Sequence, residues 1–125
     1  MRTIGARLGQ VSEGYCEIEV PFSPQVTQHH GLFHGGVVAS IADTAAGFAA
    51  YTLMEEGRQP LTVEFKISLL SPADGERIVA KARTLRAGRS IVHLQSEVFC
   101  QNEGTETCCA VALVTIKATR AVQEI

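Results

Sequence analysis

Two features between Gln28 and Ala50 have residue types that could do chemistry together. The first is His34-Gly35-Gly36, where a polar, glycine-punctuated loop gives way to a long run of small apolar residues. The first turn of a helix leaves backbone N–H groups unpaired, and the helix dipole makes that end electropositive. Glycines there let a ligand approach the backbone with no Cβ in the way. An acyl oxygen gaining negative charge during a reaction would be stabilised at such a place. The same two glycines would also serve, more simply, to ease a tight turn into a helix.

The second feature is Asp43, the only ionisable carboxylate from Gly35 to Met54. Burying a carboxylate without a partner is costly. Its neighbours at helical spacing are Ala39, Ser40, Ala46 and Gly47, all small, which leaves room for a ligand or a close partner. No Lys or Arg follows on the helix before Arg58. The structural alternative is a local role, with Asp43 capping a short helix from Thr44 or bonding to Ser40.

Gly35 and Asp43 are eight residues apart. On a helix that is about 12 Å along the axis, with a rotation near 80°. A base or nucleophile and an oxyanion donor must both come within about 3 Å of one reacting carbonyl. One copy of the helix cannot do that alone. If both features serve one reaction, the sequence predicts a symmetric oligomer with composite sites.

Other chemistries find less support. His29, His30 and His34 cluster, but Gly31 interrupts the only helical pair, and no cysteine or second carboxylate accompanies them at ligand spacing, so no metal site is expected. The four cysteines, Cys16, Cys100, Cys108 and Cys109, contain no C-x-x-C and read as buried thiols of a cytoplasmic protein. A formal net charge of −2 gives no reason to expect nucleic acid. Met1 to Gly5 lacks the apolar stretch of a signal peptide. The Asp43-bearing run is too rich in Ala and Gly, and carries a carboxylate at mid-length, for a membrane span.

The elements that must position these residues follow from periodicity. The 125 residues, 46% apolar and 19% charged, suit a single globular domain over 1–125. Tyr15 to Phe22 alternates as a first strand, ended by Ser23-Pro24. The run after His34 reads as a helix apolar nearly all round, hence buried, stopping around Glu55-Glu56-Gly57 with Gly57 just past its end and Pro60 blocking continuation. A strand meander follows. Leu61–Leu70 sets Val63, Phe65, Ile67 and Leu69 against Glu64, Lys66 and Ser68; Arg77–Arg86 turns at Ala87-Gly88; Ser90–Cys100 puts Val92, Leu94, Val98 and Cys100 on one face; Thr105–Lys117 closes the sheet, with a frayed tail after Ala118. The expected fold is α+β: one long buried helix wrapped by a curved antiparallel five-stranded sheet, whose open edge invites another subunit.

From Gly5 to Lys117 the chain resembles the hotdog-fold acyl-CoA thioesterases, in particular the branch similar to phenylacetic acid degradation thioesterases. The residues that carry the likeness are Gln28-x5-His34-Gly35-Gly36-x6-Asp43, then Thr62-Val63-Glu64-Phe65, Pro72, and the hairpin Arg86-x-Gly88-Arg89-Ser90. The resemblance implies hydrolysis of an aryl- or medium-chain acyl-CoA thioester to free acid and coenzyme A. Asp43 would act as general base or nucleophile, and the Gly35 N–H, at the helix entry formed with His34, would polarise the thioester carbonyl. Gln28 would position water or thioester, with glycine and acid coming from different subunits of a dimer or of a tetramer built as a dimer of dimers. Gly36, Gly47, Phe48 and Thr62 would meet the substrate. Arg86, Gly88, Arg89 and Ser90 would meet the nucleotide end of coenzyme A, although they also suit a solvated hairpin tip. No metal or redox cofactor is implied, coenzyme A being part of the substrate. Relatives usually carry a helix before the first strand; its absence here predicts a more open acyl pocket or an upstream segment outside this sequence. Phe33, Phe48 and Tyr51 would line an aryl pocket or, by the usual burial preference, pack in the core.

Two rivals stand beside this reading. A hotdog hydratase would carry Asp-x-Asn-Pro-x-His, whereas residues 29–34 read His-His-Gly-Leu-Phe-His. A non-catalytic acyl-CoA binding module would bind the thioester without releasing a thiol.

Overall fold

The structure, a computed structural model, describes residues 1–120. In chain order its elements are β1 (Arg7–Ser12), β2 (Tyr15–Pro21), α1 (Gly35–Tyr51), β3 (Arg58–Leu69), β4 (Arg77–Ala87), β5 (Ile91–Asn102) and β6 (Thr105–Arg120), with short 3-10 turns at Arg2–Ile4 and Pro24–Val26. The strands form one antiparallel sheet in the order β1-β2-β4-β5-β6-β3. The helix packs on one face of it, against β2 to β6.

The alternating strands form as their patterns dictate. In β2 Cys16, Ile18 and Val20 are buried, and in β5 Val92, Leu94, Ser96, Val98 and Cys100 are. β5 and β6 are joined by a two-residue loop whose residues, Glu103 and Gly104, both have positive φ, as such tight hairpins require.

Five expectations need correction. The described sheet has six strands, not five: β1 pairs antiparallel with β2, and a register shift between Leu8 and Val11 breaks the alternation that would have revealed it. The second half is not a continuous meander. β4, β5 and β6 are consecutive neighbours, but β3 lies beyond β6 at the far edge. The helix ends at Tyr51 with Thr52 as its cap, a turn earlier than Gly57, because Thr52, Leu53 and Met54 turn back onto Phe48, Ala50 and Tyr51 carbonyls. Gly57, at φ 85°, serves the turn into β3 instead. β6 continues past Ala118 to Arg120; the remainder of the tail lies outside the described residues.

The helix is also not buried all round. Val38, Ile41, Ala42, Ala45, Ala46, Ala49 and Ala50 face the sheet. Gly36, Ser40, Phe48 and Tyr51 are exposed, with Asp43, Thr44 and Gly47 half-buried beside them. The small residues made this open stripe look like core. No helix among the described residues is long and apolar enough to cross a membrane.

Candidate active site

The helix entry is built by His34. Its Nδ1 accepts a hydrogen bond from the Gly36 N–H at 3.0 Å, and its carbonyl accepts from the Val37 and Val38 N–H groups. An imidazole nitrogen that accepts here carries no proton, so the ring N–H of the neutral side chain is at Nε2, at an exposed position. His34 is thus the helix cap, with β-region backbone angles of −65° and 135°. The Gly35 N–H takes part in none of these bonds and finds no partner among the described residues.

Gln28 sits in the loop before the helix. Its N–H donates to the Leu32 carbonyl, its own carbonyl accepts from Gly31, and its Oε1 accepts from the His30 N–H at 3.2 Å. Gln28 and Gly35 line one hollow of about 370 Å³, closed by Phe33, Val38, Leu69 to Ala73 and Cys109. Phe33 is buried and stacks edge-on against Phe22, so it packs in the core as expected.

Asp43 lies on the open stripe of the same helix. Its Oδ1 accepts a hydrogen bond from the Thr62 hydroxyl at 2.7 Å. The local alternatives fail, since Ser40 donates to the Gly36 carbonyl and Thr44 to the Ser40 carbonyl. Thr62 reaches the carboxylate because of a bulge in β3. Thr62 is opposite Ile116 and Glu64 opposite Thr115, so Val63 is the extra residue. The strict alternation read from the sequence put Val63 with Phe65 on the inner face; the bulge puts Thr62 there and leaves Val63 53% exposed.

Asp43, Thr44, Gly47, Phe48, Tyr51, Gln59, Pro60 and Thr62 enclose a second hollow of about 470 Å³. Phe48 and Tyr51 are 44% and 52% exposed there, so of the two placements open to them, pocket lining or core, the core is the one that fails. The available signal was helical spacing: Tyr51 is eight residues after Asp43, and Phe48 four after Thr44. Thr44, Gln59 and Pro60 were missed.

The hairpin residues stand apart from both hollows. Arg86 is exposed and opposite His93. Gly88 closes the turn by donating to the Ile91 carbonyl, and a Cβ there would lie 2.8 Å from that oxygen. Ser90 accepts from the Ala118 N–H. Gly88 and Arg89 line a third hollow with Met54, Glu55 and Arg58 at the far end of the helix. Arg58, not singled out from the sequence, is anchored there by a bond to the Ala118 carbonyl.

Among the described residues no three His, Cys, Asp or Glu side chains converge to hold a metal ion. The four cysteines are free. Burial pushes the thiol of Cys16 up to about 11 and that of Cys109 to about 12.

The chain is similar to known proteins over most of its length. The thioesterase superfamily family model matches residues 30–109. The chain is similar to the proofreading thioesterase EntH of Klebsiella pneumoniae, at 30% identity over 118 residues, covering 90% of this chain and 84% of that protein. It is 29% identical to the medium/long-chain acyl-CoA thioesterase YigI of Escherichia coli, over 82% of this chain and 76% of the relative. Among solved structures, a thioesterase family protein from Silicibacter pomeroyi superposes with a TM-score of 0.93 at 36% identity, covering 97% of this chain and 89% of its own.

Proposed function

Because the chain belongs to the thioesterase superfamily, we propose that it hydrolyses an aryl- or medium-chain acyl-CoA thioester to the free acid and coenzyme A, as a member of the phenylacetic acid degradation-like branch. The observation that carries the reading is the pairing of features on one helix. A Gly35 N–H without a partner among the described residues stands at its positive end, and a carboxylate held by Thr62 stands on its open stripe. The first suits a developing oxyanion and the second suits activation of water.

In this mechanism the thioester oxygen rests on the Gly35 N–H of one subunit. Asp43 of the other subunit takes a proton from water as it attacks the carbonyl carbon, or attacks directly to give a mixed anhydride that water then resolves. The thiolate leaves and is protonated. Gln28, beside Gly35, orients the water or the thioester, and no metal or redox group is required. Phe48 and Tyr51 flank the Asp43 hollow, with Gly47 leaving space between helix and ligand. Arg86 and Arg89 meet the phosphates of the nucleotide.

The oligomer is at least a dimer. Leu61 and Val63 on the edge strand β3, and Phe48 and Tyr51 on the helix, are exposed apolar surface next to the Asp43 hollow, which supports a second copy as their cover. A cytoplasmic setting belongs to the same reading, supported by four free cysteines.

The test is a thiol-release screen over aryl, short, medium and long acyl-CoAs. Turnover of aryl or medium-chain substrates is the expected result. Tight binding of acyl-CoA with no thiol released from any of them would make the protein a binding module.

A further inference from the structure

We propose that Ser96 and Thr62 are positioning residues that jointly set where Asp43 stands, Ser96 through the helix backbone and Thr62 through the carboxylate. The proposal rests on the reading of Asp43 as the reacting carboxylate.

Ser96 is the one buried polar side chain among the described residues, at 0% exposure. It sits mid-sheet on β5, with Ala82 and Ala112 as its cross-strand neighbours. Alanine there would fill nearly the same space without a hydroxyl to desolvate. The hydroxyl instead donates to the Ala42 carbonyl at 2.7 Å, the residue immediately before Asp43. Thr62 donates to Asp43 Oδ1 at the same distance, 2.7 Å. Two strands, β5 and β3, therefore send one hydroxyl each to consecutive residues of the helix.

The helix surface explains why such bonds matter. Its sheet-facing side includes Ala42, Ala45, Ala46, Ala49 and Ala50. Alanines bring the helix close but offer short ridges, so packing alone weakly fixes its rotation and sliding on the sheet. A hydrogen bond is directional and fixes both. The Ser96 bond sets the helix at the turn carrying Asp43. The Thr62 bond then restrains the carboxylate's rotamer and occupies Oδ1, while Oδ2 has no hydrogen bond among the described residues. A misplacement of about 1 Å at a reacting group is enough to cost up to 10²-fold in rate.

The test compares Ser96→Ala, Thr62→Val and Thr62→Ser, each in the wild-type and the Asp43→Asn background, by kcat and KM for the best acyl-CoA of the screen and by thermal melting. Ser96→Ala and Thr62→Val should each lower kcat by about tenfold or more, with KM within about twofold. Thr62→Ser, which keeps the donor, should restore most of the rate. In the Asp43→Asn background none of the three should lower the residual rate further, because they act through a carboxylate no longer present. Full kcat in Ser96→Ala and Thr62→Val, or equal losses in both backgrounds, would overturn the proposal and leave the hydroxyls as fold supports. Loss of activity in Asp43→Asn alongside those results keeps the thioesterase reading and removes only the positioning role; wild-type turnover in Asp43→Asn removes both.

Discussion

Gly35 and Asp43 share one helix but open into different hollows, the first beside Gln28 and Leu69, the second beside Thr62 and Tyr51. Neither hollow of a single chain holds both an oxyanion donor and a carboxylate. On the proposed mechanism a complete site needs the first hollow of one subunit against the second hollow of another, which is the basis of the mixing prediction.

Two inactive variants, Asp43→Asn and Gly35→Pro, should complement each other. Co-refolded at equal amounts, half the dimers would be mixed and each would hold one intact site, so about a quarter of wild-type activity should return. Thiol release on mixing, against each variant alone, measures it. A mixture as inactive as its parts would place both groups in one chain's site.

Gly35→Pro isolates the oxyanion donor. Gly35 is the first helical residue, where proline is tolerated, and His34 before it already has the extended angles proline favours. The nearest atom to a new Cβ is Leu69 Cδ1 at 3.7 Å, an ordinary contact. The variant should melt near wild type while kcat falls about 10²-fold to 10³-fold, the range for loss of one such donor. Unchanged turnover would show that the amide is a spectator.

Asp43→Asn should keep the fold, since Thr62 can donate to the amide oxygen as it does to the carboxylate. The rate should fall by about 10² or more for loss of a general base, and further for loss of a nucleophile. A protein that turns over normally and only melts earlier would make the carboxylate structural.

Arg86→Ala with Arg89→Ala should raise KM for acyl-CoA more than it lowers kcat, because phosphate contacts remote from the carbonyl contribute uniform binding. A short thioester lacking the nucleotide should be hydrolysed as by wild type. Equal losses on both substrates would assign the hairpin to folding.

The thiols predict the alkaline limit of stability. Cys16 and Cys109 hold their protons to about 11 and about 12 when folded, against 9.0 for an ordinary thiol. Between these values the unfolded chain has released protons that the folded chain retains, so stability is full below pH 9.0 and falls as the pH rises through about 11 and 12. Denaturant melts across that range should show the decline. Cys16→Ala should flatten part of it.

Much of this was legible in the sequence, and the failures have particular causes. β2 and β5 alternate with a period of two and were read nearly to their ends; β6 was too, although an extra residue at Cys109 interrupts its alternation and buries Cys109 and Ala110 together. Asp43 and the glycine entry stood out because charge and glycine are conspicuous in an alanine-rich run. Local pattern carries no information on which strand is a neighbour, so the position of β3 beyond β6 was invisible. The bulges at Leu8–Val11 and Thr62–Glu64 shift the face of every following residue, and a sequence read by strict alternation passes over both. The pattern leaves Phe48 and Tyr51 between an aryl pocket and the core, because aromatic residues usually pack inside and the small residues around them conceal an open helix face.

The order of pairing has a consequence for synthesis. The helix bearing Asp43 leaves the ribosome early, and Thr62 soon after, but among the described residues β3 has β6 as its only neighbour in the sheet, with Arg58 opposite Arg120. Strand β3 therefore waits for almost the whole chain before it can dock. Until then its threonine has no fixed place beside the carboxylate. A nascent or interrupted chain lacking β6 carries Gly35 and Asp43 but has no assembled centre, so the capacity for hydrolysis arrives with the last strand.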